Sequence, residues 1–341
     1  MRMTLKKLGE MAGVSSACVS NILNGKTEEY SEETVTRIRN LANEYNYRPN
    51  SIAKSMVTKS TMTIGLILPD ITNPYFPELA KGVERKAFEL GYSVIYLNSD
   101  EDAIKEKKAF RTLEQKMVDG IIFIPSVNSV ENKEIFDQTQ VPIVTVDRPL
   151  DIEGTIGEVV ADDYKGSRMA TKYLIENGYK HILFLSGDRH FGIHSDRARG
   201  FGDEMKAHGL SLSEDYFIVG KYDAEFGYQA IHDFLELKKP VDAVYAGSDM
   251  IAIGAMQALK DNGLSIPGDV SIVGYDDIYI SQYLDPPLTT INQPKYQMGA
   301  GAVEMLIKLI EKQEKQEKLV LSPELVVRKS VKKNGIKRSQ V

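Results

Sequence analysis

The chain has 341 residues, of which 42% are hydrophobic and 26% charged, and a formal net charge of −6. This composition is that of a globular protein with two or three domains, and the single cysteine, Cys18, excludes a disulfide framework and a cysteine-based zinc cluster. The N-terminus has no apolar signal-peptide core, and no stretch approaches the roughly 20 apolar residues of a membrane span, so we predict a cytoplasmic protein with no membrane partner.

The first 46 residues are predicted to form three short helices. Thr4 can cap a helix that runs to Met11, and Gly13 then breaks it. Ser15 can cap a second helix that ends near Leu23. Two helices joined by a glycine turn are typical of the helix-turn-helix, although a capped helical hairpin at the surface would have the same pattern.

The second helix carries small polar side chains on one side. Such side chains let a helix approach base edges closely while still forming hydrogen bonds. Val14, Val19 and Ile22 are expected to face the other helices, which leaves outward Ser16, Ala17, Ser20 and Asn21.

A third helix is predicted to begin at Ser31, with an apolar face of Val35, Ile38, Leu41 and Ala42. Residues 1–60 carry a net charge of +3 and the remainder −9, which favours contact between this segment and a polyanion. Residues 47–60 are predicted to form a hinge. We expect residues 45–60 to stay disordered in the absence of DNA, because they can bury too little apolar area to offset the entropy of ordering.

From Thr63 onward, apolar strands alternate with helices. The predicted strands are TIGLIL, YSVIYL, GIIFIP, PIVTVD, HILFLSG, YFIVG, AVYAG and VSIVGY. This alternation predicts an α/β fold of two doubly wound parallel lobes, an N-terminal lobe of 61–161 plus 292–323 and a C-terminal lobe of 162–291 plus 324–332. A late helix is expected over 299–318, followed by a disordered tail over 333–341. No leucine heptad follows residue 320, so we expect a homodimer.

Polar residues follow several of these strands, and their position predicts a ligand site between the lobes. Ligands of such folds bind beyond the carboxyl ends of parallel strands. Carboxylates, guanidinium groups, amides and flat aromatic rings suit the hydroxyls and C–H face of a sugar. The candidates are Asn73, Tyr75, Phe76, Asp147, Arg148, Arg197, Ser248, Asp249, Asp276 and Gln293.

Several candidates have an alternative structural interpretation. These are core aromatics for Tyr75 and Phe76, a surface ion pair for Asp147 and Arg148, a turn for Asp276 and Asp277, and a helix N-cap for Asp249, the role we favour for that residue.

The motifs taken together resemble those of the LacI/GalR family. The resemblance begins with TLKKLGEMAGVSSACVSNILNG and YRPNSIAKSM and continues through IGLILPDITNPYF, DGIIF, VDRP, SDMIAIGAMQAL, SIVGYDDI and PPLTTINQP. It therefore covers nearly the whole chain. It implies a bacterial helix-turn-helix headpiece and hinge in front of a periplasmic-binding-protein-like core.

The resemblance implies roles for residues of the headpiece and hinge. Met56 stands where the family usually has the leucine that wedges between central base pairs, and a linker residue packed on the core is the alternative. Asn21 stands where members often carry arginine, so the preferred base is expected to differ. By the same resemblance, bases are read by Ser16, Ala17 and Asn21, phosphates are contacted by Thr4, Ser15, Ser20 and Asn24, and the hinge is supported by Tyr47, Asn50, Ser51 and Ala53.

The resemblance also implies a sugar effector, with the chain most similar to the ribose-operon repressor. Phe226 is a looser match to a stacking aromatic, and Ser248 replaces an asparagine amide. The residues that match sugar contacts are Asn73, Tyr75, Phe76, Asp147, Arg148, Arg197, Asp276 and Gln293.

We therefore predict a repressor that binds palindromic operator DNA and is released by ribose or a related pentose. The alternative is a member of the same family controlled by a corepressor, a partner protein, a sugar acid or a hexose. No catalytic motif is present, because GDRHFG lacks the lysine of a phosphate loop and the five histidines are scattered. We expect no enzyme activity, no metal and no cofactor.

Overall fold

The computed structural model describes residues 3–48, 55, 60–126, 139, 141–148, 157–187, 196–311 and 317–333. The chain divides into two compact units, Met1–Thr61 and Met62–Val341, which we call the headpiece and the core. Most of the predicted hinge, and residues 334–341 of the predicted disordered tail, lie outside the described residues.

Three helices form the headpiece: α1 (Leu5–Ala12), α2 (Ser16–Leu23) and α3 (Glu32–Glu44). Each begins after a hydroxyl residue whose oxygen accepts a backbone N–H of the first turn at 3.2–3.3 Å, namely Thr4, Ser15 and Ser31. Gly13 ends α1 with a φ of +68°, a conformation that glycine adopts without strain. A small apolar core, with Leu8, Val19 and Ile38 fully buried, joins the helices as their spacing predicts.

Two six-stranded sheets organise the core. The sheet of the N-terminal lobe has the order β11-β5-β4-β3-β1-β2, with every pair parallel. Its strands are β1 (Thr63–Leu68), β2 (Ser93–Asn98), β3 (Gly120–Phe123), β4 (Ile143–Val146), β5 (Gly157–Ala161) and β11 (Glu317–Leu321).

The sheet of the C-terminal lobe has the order β12-β10-β9-β8-β6-β7. Only β12 runs antiparallel to its neighbour, β10. The strands are β6 (Ile182–Gly187), β7 (Phe217–Gly220), β8 (Ala243–Ala246), β9 (Ser271–Asp276), β10 (Thr289–Asn292) and β12 (Glu324–Val326).

Helices cover the faces of both sheets, and apolar side chains fill the layers between them. They are α4 (Tyr75–Glu89), α5 (Ala103–Gln115), α6 (Asp163–Glu176), α7 (Asp196–Ala207), α8 (Ala224–Glu236), α9 (Asp249–Asp261) and α10 (Lys295–Ile310), with short 3₁₀ turns at Glu214–Tyr216 and Tyr279–Tyr283. Helix α10 packs on α4 and on strands of the N-terminal sheet, while α8 and α9 pack together in the C-terminal lobe.

The predicted fold class of two parallel α/β lobes is confirmed, but two local predictions need correction. Four strands were not predicted: β5, β10, β11 and β12. The helix expected over 299–318 ends at Ile310, and residues 317 and 318 belong to β11, which completes the N-terminal sheet.

Candidate functional site

A chain of buried polar side chains runs from the N-terminal lobe to the C-terminal lobe. The Tyr75 hydroxyl, at the start of α4, donates to Asp147 Oδ1, and its oxygen lies 3.3 Å from Gln293 Oε1. Gln293 Nε2 in turn donates to Asp276 Oδ1 at 2.8 Å. Because Asp147 follows β4, Asp276 ends β9 and Gln293 follows β10, the strand order brings these groups to the carboxyl ends of both sheets.

Arg197, on α7, is held in place on the C-terminal side of the site. Its Nη1 donates to Gly247 O at 2.8 Å and lies 3.8 Å from Asp276 Oδ1. Its Nε lies 3.1 Å from Asp163 Oδ2. The guanidinium carbon also stacks 3.9 Å from the ring centre of Tyr275, whose hydroxyl donates to Asp163 Oδ1 at 2.9 Å.

Arg148 occupies the corresponding place in the N-terminal lobe. Its Nη1 lies 2.9 Å from Glu101 Oε1 and donates to Pro125 O, also at 2.9 Å. Its Nε is 3.9 Å from Asp147 Oδ2, and only 12% and 11% of the two side chains are exposed. The alternative of a surface ion pair is therefore wrong, since the pair is largely buried.

Burial raises the pKa of two carboxyl groups in the site, Asp147 and Asp276. It raises the pKa of Asp276 to about 8, against the opposing influence of Arg197 and Lys295. It also raises the pKa of Asp147, against Arg148 and Arg197. Glu101 pairs with Arg148 and Asp163 pairs with Arg197. Neither arginine of the site is therefore unpaired among the described residues.

The structure corrects the favoured role of Asp249. The N-cap of α9 is Ser248, whose Oγ accepts from Ile251 N at 3.2 Å. The Asp249 side chain is fully buried, and burial raises its pKa to about 6. Its oxygens accept N–H and O–H groups at 2.5–2.9 Å from three distant residues, Ile278, Ser281 and Thr290. Asp249 therefore ties segments of the core together, and the predicted effector residue Ser248 also caps a helix.

The remaining predicted effector residues pack within the protein. Asn73 Oδ1 accepts from Tyr75 N at 3.1 Å and so fixes the turn into α4. Phe76 is buried in the N-terminal core, with its ring 5.8 Å from Arg148 Cζ. Phe226 packs against the C-terminal core at the start of α8. The alternative interpretation of Phe76 as a core aromatic is therefore correct, and its ring also borders the site.

Sequence reasoning missed four residues that border this site: Glu101, Asp163, Tyr222 and Tyr275. Tyr222 follows β7 by two residues, and its ring centre lies 6.0 Å from Arg197 Cζ. The rule that selected the other candidates, a polar residue just beyond a strand, could have found it. Tyr275 lies inside a strand, so no local pattern distinguishes it from an ordinary core residue.

On the headpiece, helix α2 exposes Ser16 and Ala17. Ser20 and Asn21 are half-buried, and Asn21 Nδ2 donates to the Tyr30 hydroxyl at 3.0 Å. Asn24 Nδ2 donates to Ser20 O at 2.7 Å. The predicted base-reading and phosphate-contacting residues therefore share α2 with its two caps, apart from Thr4, which caps α1. Ser20 and Asn21 are less exposed than expected.

Of the residues predicted to act in the hinge, only Tyr47 is among those that the structure describes. Tyr47 is half-buried and packs against the headpiece core. The other predicted hinge residues lie outside the described residues: Asn50, Ser51, Ala53 and Met56.

Comparison with known families matches both units of the chain. Residues 4–50 match bacterial regulatory proteins of the lacI family, and residues 61–333 match periplasmic binding proteins and the sugar binding domain of the LacI family. The chain belongs to the LacI family of transcriptional regulators. Repressors of the LacI family bind operator DNA as dimers and respond to small-molecule effectors.

Relatives extend over almost the whole LacI-family chain. The HTH-type transcriptional regulator RegA of Clostridium saccharobutylicum is 37% identical over 97% of this chain and 99% of its own. The HTH-type transcriptional repressor PurR of Vibrio campbellii is 34% identical over the same shares. A LacI family regulator from Enterococcus faecium, solved with bound ribose, is 28% identical, with a TM-score of 0.69 over 80% of this chain and 99% of that one.

These matches confirm the expected family and the role of DNA-binding regulator. RegA and PurR are both transcriptional regulators. Among the described helices, none is both long enough and apolar enough to cross a bilayer.

Proposed function

We propose that this LacI-family protein represses a sugar-utilisation operon and leaves its operator when ribose or a related pentose binds between the core lobes. One observation carries the proposal: the buried polar chain from Tyr75 through Gln293 to Asp276, which offers hydrogen-bonding groups from both lobes at one site. The similarity to a family member solved with ribose supports this choice of sugar.

The charges of the site favour an uncharged polyol as the effector. Arg148 is paired with Glu101 and Arg197 with Asp163, so neither cation is left to balance an anion. A sugar acid would bring a negative charge next to the buried Asp147 and Asp276, whose raised pKa values show that the site already disfavours negative charge. We therefore rank a neutral pentose above a sugar acid, with a hexose as the neutral alternative.

In the proposed effector site, Asp147 and Asp276 accept sugar hydroxyls and Gln293 bridges them. Tyr75 and Phe76 supply ring surface and Arg148 and Arg197 supply N–H donors. Asn73, Phe226 and Ser248 complete the proposed contacts.

DNA binding is assigned to the exposed part of the headpiece. In a dimer, one α2 helix enters the major groove of each half of a palindromic operator. We propose that Ser16, Ala17 and Asn21 read bases there, and that phosphates are contacted by Thr4, Ser15, Ser20 and Asn24. Asn21 keeps its side-chain oxygen and one N–H available while its other N–H bonds to Tyr30. Met56 is the proposed wedge in the central minor groove, supported by Tyr47, Asn50, Ser51 and Ala53.

Effector binding and DNA binding are coupled through the arrangement of the lobes. The sugar favours the closed arrangement, which separates the two hinges of the dimer and weakens the paired contact of the headpieces. The coupling is only as large as the preference of the sugar for that arrangement. The proposed protein is non-catalytic and acts in the cytoplasm, where its operator is.

A gel-shift titration with ribose, other pentoses, hexoses and sugar acids tests the proposal. Release of the operator by a pentose is expected, whereas tightening by any ligand would show a corepressor-controlled regulator. Asp276→Ala should retain operator affinity within about twofold and lose the sugar response. The matched control, Asp233→Ala, removes an exposed carboxylate on α8 and should respond normally. Normal induction of Asp276→Ala would show that the pocket is assigned wrongly.

A further inference from the structure

A buried lysine connects the two lobes behind the proposed effector site. Lys295 begins α10 in the N-terminal lobe, and only 5% of its side chain is exposed. Its Nζ donates to the carbonyl oxygens of Asp276 and Asp277, the latter at 3.0 Å, at the end of β9 in the C-terminal lobe. The same Nζ lies 3.4 Å from Glu78 Oε2 on α4. One ammonium group thus contacts the backbone of one lobe and a carboxylate of the other.

The backbone that Lys295 contacts has an unfavourable conformation. Asp276 has a φ of +112° and Asp277 a φ of +51°, a region that residues other than glycine seldom adopt. Such conformations persist only where the surroundings hold them. Lys295 contacts the two carbonyl groups, and Arg328 Nη2 lies 2.6 Å from Asp277 Oδ1. These two cations therefore contact the turn from which the Asp276 side chain extends.

The segment after this turn returns to the N-terminal lobe. Ile278 is buried in the core of that lobe, although it follows a strand of the other. Tyr279 N donates at 2.9 Å to Glu78 Oε1, the second oxygen of the carboxylate that faces Lys295. Glu78 and Lys295 therefore fix both ends of the short segment that begins at Asp276.

We propose that Lys295 is a positioning residue, which holds Asp276 in the orientation that accepts the effector and, with Glu78, links that side chain to the N-terminal lobe. The inference rests on the proposed function, because it takes Asp276 to be an effector contact. Lys295 does not touch the effector. It acts through the two backbone carbonyls and through the charge that it places next to Asp276.

Three substitutions test this role by calorimetric titration of the full-length protein with D-ribose. Lys295→Met keeps the length of the side chain and removes the charge, so we expect the affinity to fall at least tenfold. Lys295→Arg keeps a cation and should stay within about threefold of the wild type. The control Lys86→Met removes a lysine of α4 that pairs with Glu89 and Glu304, and should not change the affinity.

The pH profile of ribose affinity separates positioning from a simple packing defect. The groups that face Asp276 are Arg197 on α7, Asp249 on α9, Lys295 on α10, Gln293, Tyr75 and Tyr222. Affinity should rise as Asp276 ionises, and loss of the Lys295 charge should move the midpoint of that rise to higher pH. Lys295→Arg should not move it. A loss of affinity that is equal at every pH in Lys295→Met would overturn the proposal.

Hydrogen exchange of the ligand-free protein tests the positioning without any sugar. The amides of Ile278 and Tyr279 should exchange at least tenfold faster in Lys295→Met, while those of β1 stay unchanged. If the wild type binds no ribose, the proposed effector is wrong, but this measurement still decides the role of Lys295. Unchanged exchange at Ile278 and Tyr279 in the folded variant would contradict it.

Discussion

At the scale of single residues, Asp276 shows how burial sets the chemistry of the site. Asp276 is 5% exposed and its carboxyl group accepts from Gln293, and burial raises its pKa to about 8. The native state therefore holds a proton that the unfolded chain releases near pH 4. The contribution of this group to stability is full below pH 4 and is lost as the pH rises to about 8.

This linkage predicts that the core becomes less stable between pH 7 and pH 8. One group of this kind changes the free energy of unfolding by at most about 1.4 kcal/mol per pH unit. Asp276→Asn cannot ionise, so its stability should be nearly constant over that interval. Urea unfolding of both proteins at the two pH values measures the difference, and parallel losses would show that another group titrates.

Whether Ser248 or Asp249 caps α9 could not be predicted from the sequence. Both are good N-cap residues at adjacent positions before the same helix. The choice depends on Ser281 and Thr290, far along the chain, whose hydroxyls hold the Asp249 carboxylate. The candidates Tyr75, Asp147, Asp276 and Gln293 could be predicted to converge because each follows a strand, and all strands of a parallel sheet end at one edge.

At the scale of elements, helices were easier to predict than short strands. The caps Thr4, Ser15 and Ser31 and the apolar spacing of the headpiece define its helices locally. Strand β10 has only four residues, TTIN, and owes its state to pairing with β9 and β12. Such tertiary pairing leaves little trace in a short segment.

The two serine caps of the headpiece allow a matched prediction. Ser15→Ala and Ser31→Ala each remove a side-chain acceptor, which should destabilise the headpiece by about 1 kcal/mol. Only Ser15 is a proposed phosphate contact, so only its substitution should also weaken operator binding, by roughly tenfold. Hydrogen exchange in α3 and gel shifts at low temperature measure the two effects. Equal loss of DNA affinity in both variants would assign the whole effect to helix stability.

Helices α8 and α9 pack so closely that a glycine is required between them. A Cβ on Gly254 would lie 1.8 Å from Ala224 O, so Gly254→Ala should destabilise the core by about 1–3 kcal/mol or more. Gly202, on α7, has no atom within 4 Å of its Cβ position, and Gly202→Ala should stabilise the core by about 0.5–1 kcal/mol. Thermal unfolding of both variants checks these opposite signs.

At the scale of the whole molecule, the two proposed sites belong to different units. All described residues of the proposed effector site belong to the core, whereas α2 belongs to the headpiece. A fragment of residues 62–341 should therefore bind ribose within twofold of the full chain. In the full chain, Met56→Gly should weaken operator binding and leave the ribose affinity unchanged. Calorimetry measures the ribose affinities and gel shifts measure the operator affinities. If Met56→Gly binds the operator as tightly as the wild type, Met56 is not a wedge.

The order of the strands also determines when each part of the protein is finished on the ribosome. The N-terminal sheet is complete only when β11 has been translated, and the C-terminal sheet only when β12 has been translated. These strands lie within residues 317–326, close to the end of the chain. The three headpiece helices use only the first 47 residues. We therefore expect a nascent chain to fold its headpiece long before the core is complete, and a chain truncated near residue 310 to keep the headpiece while it lacks β11 and β12.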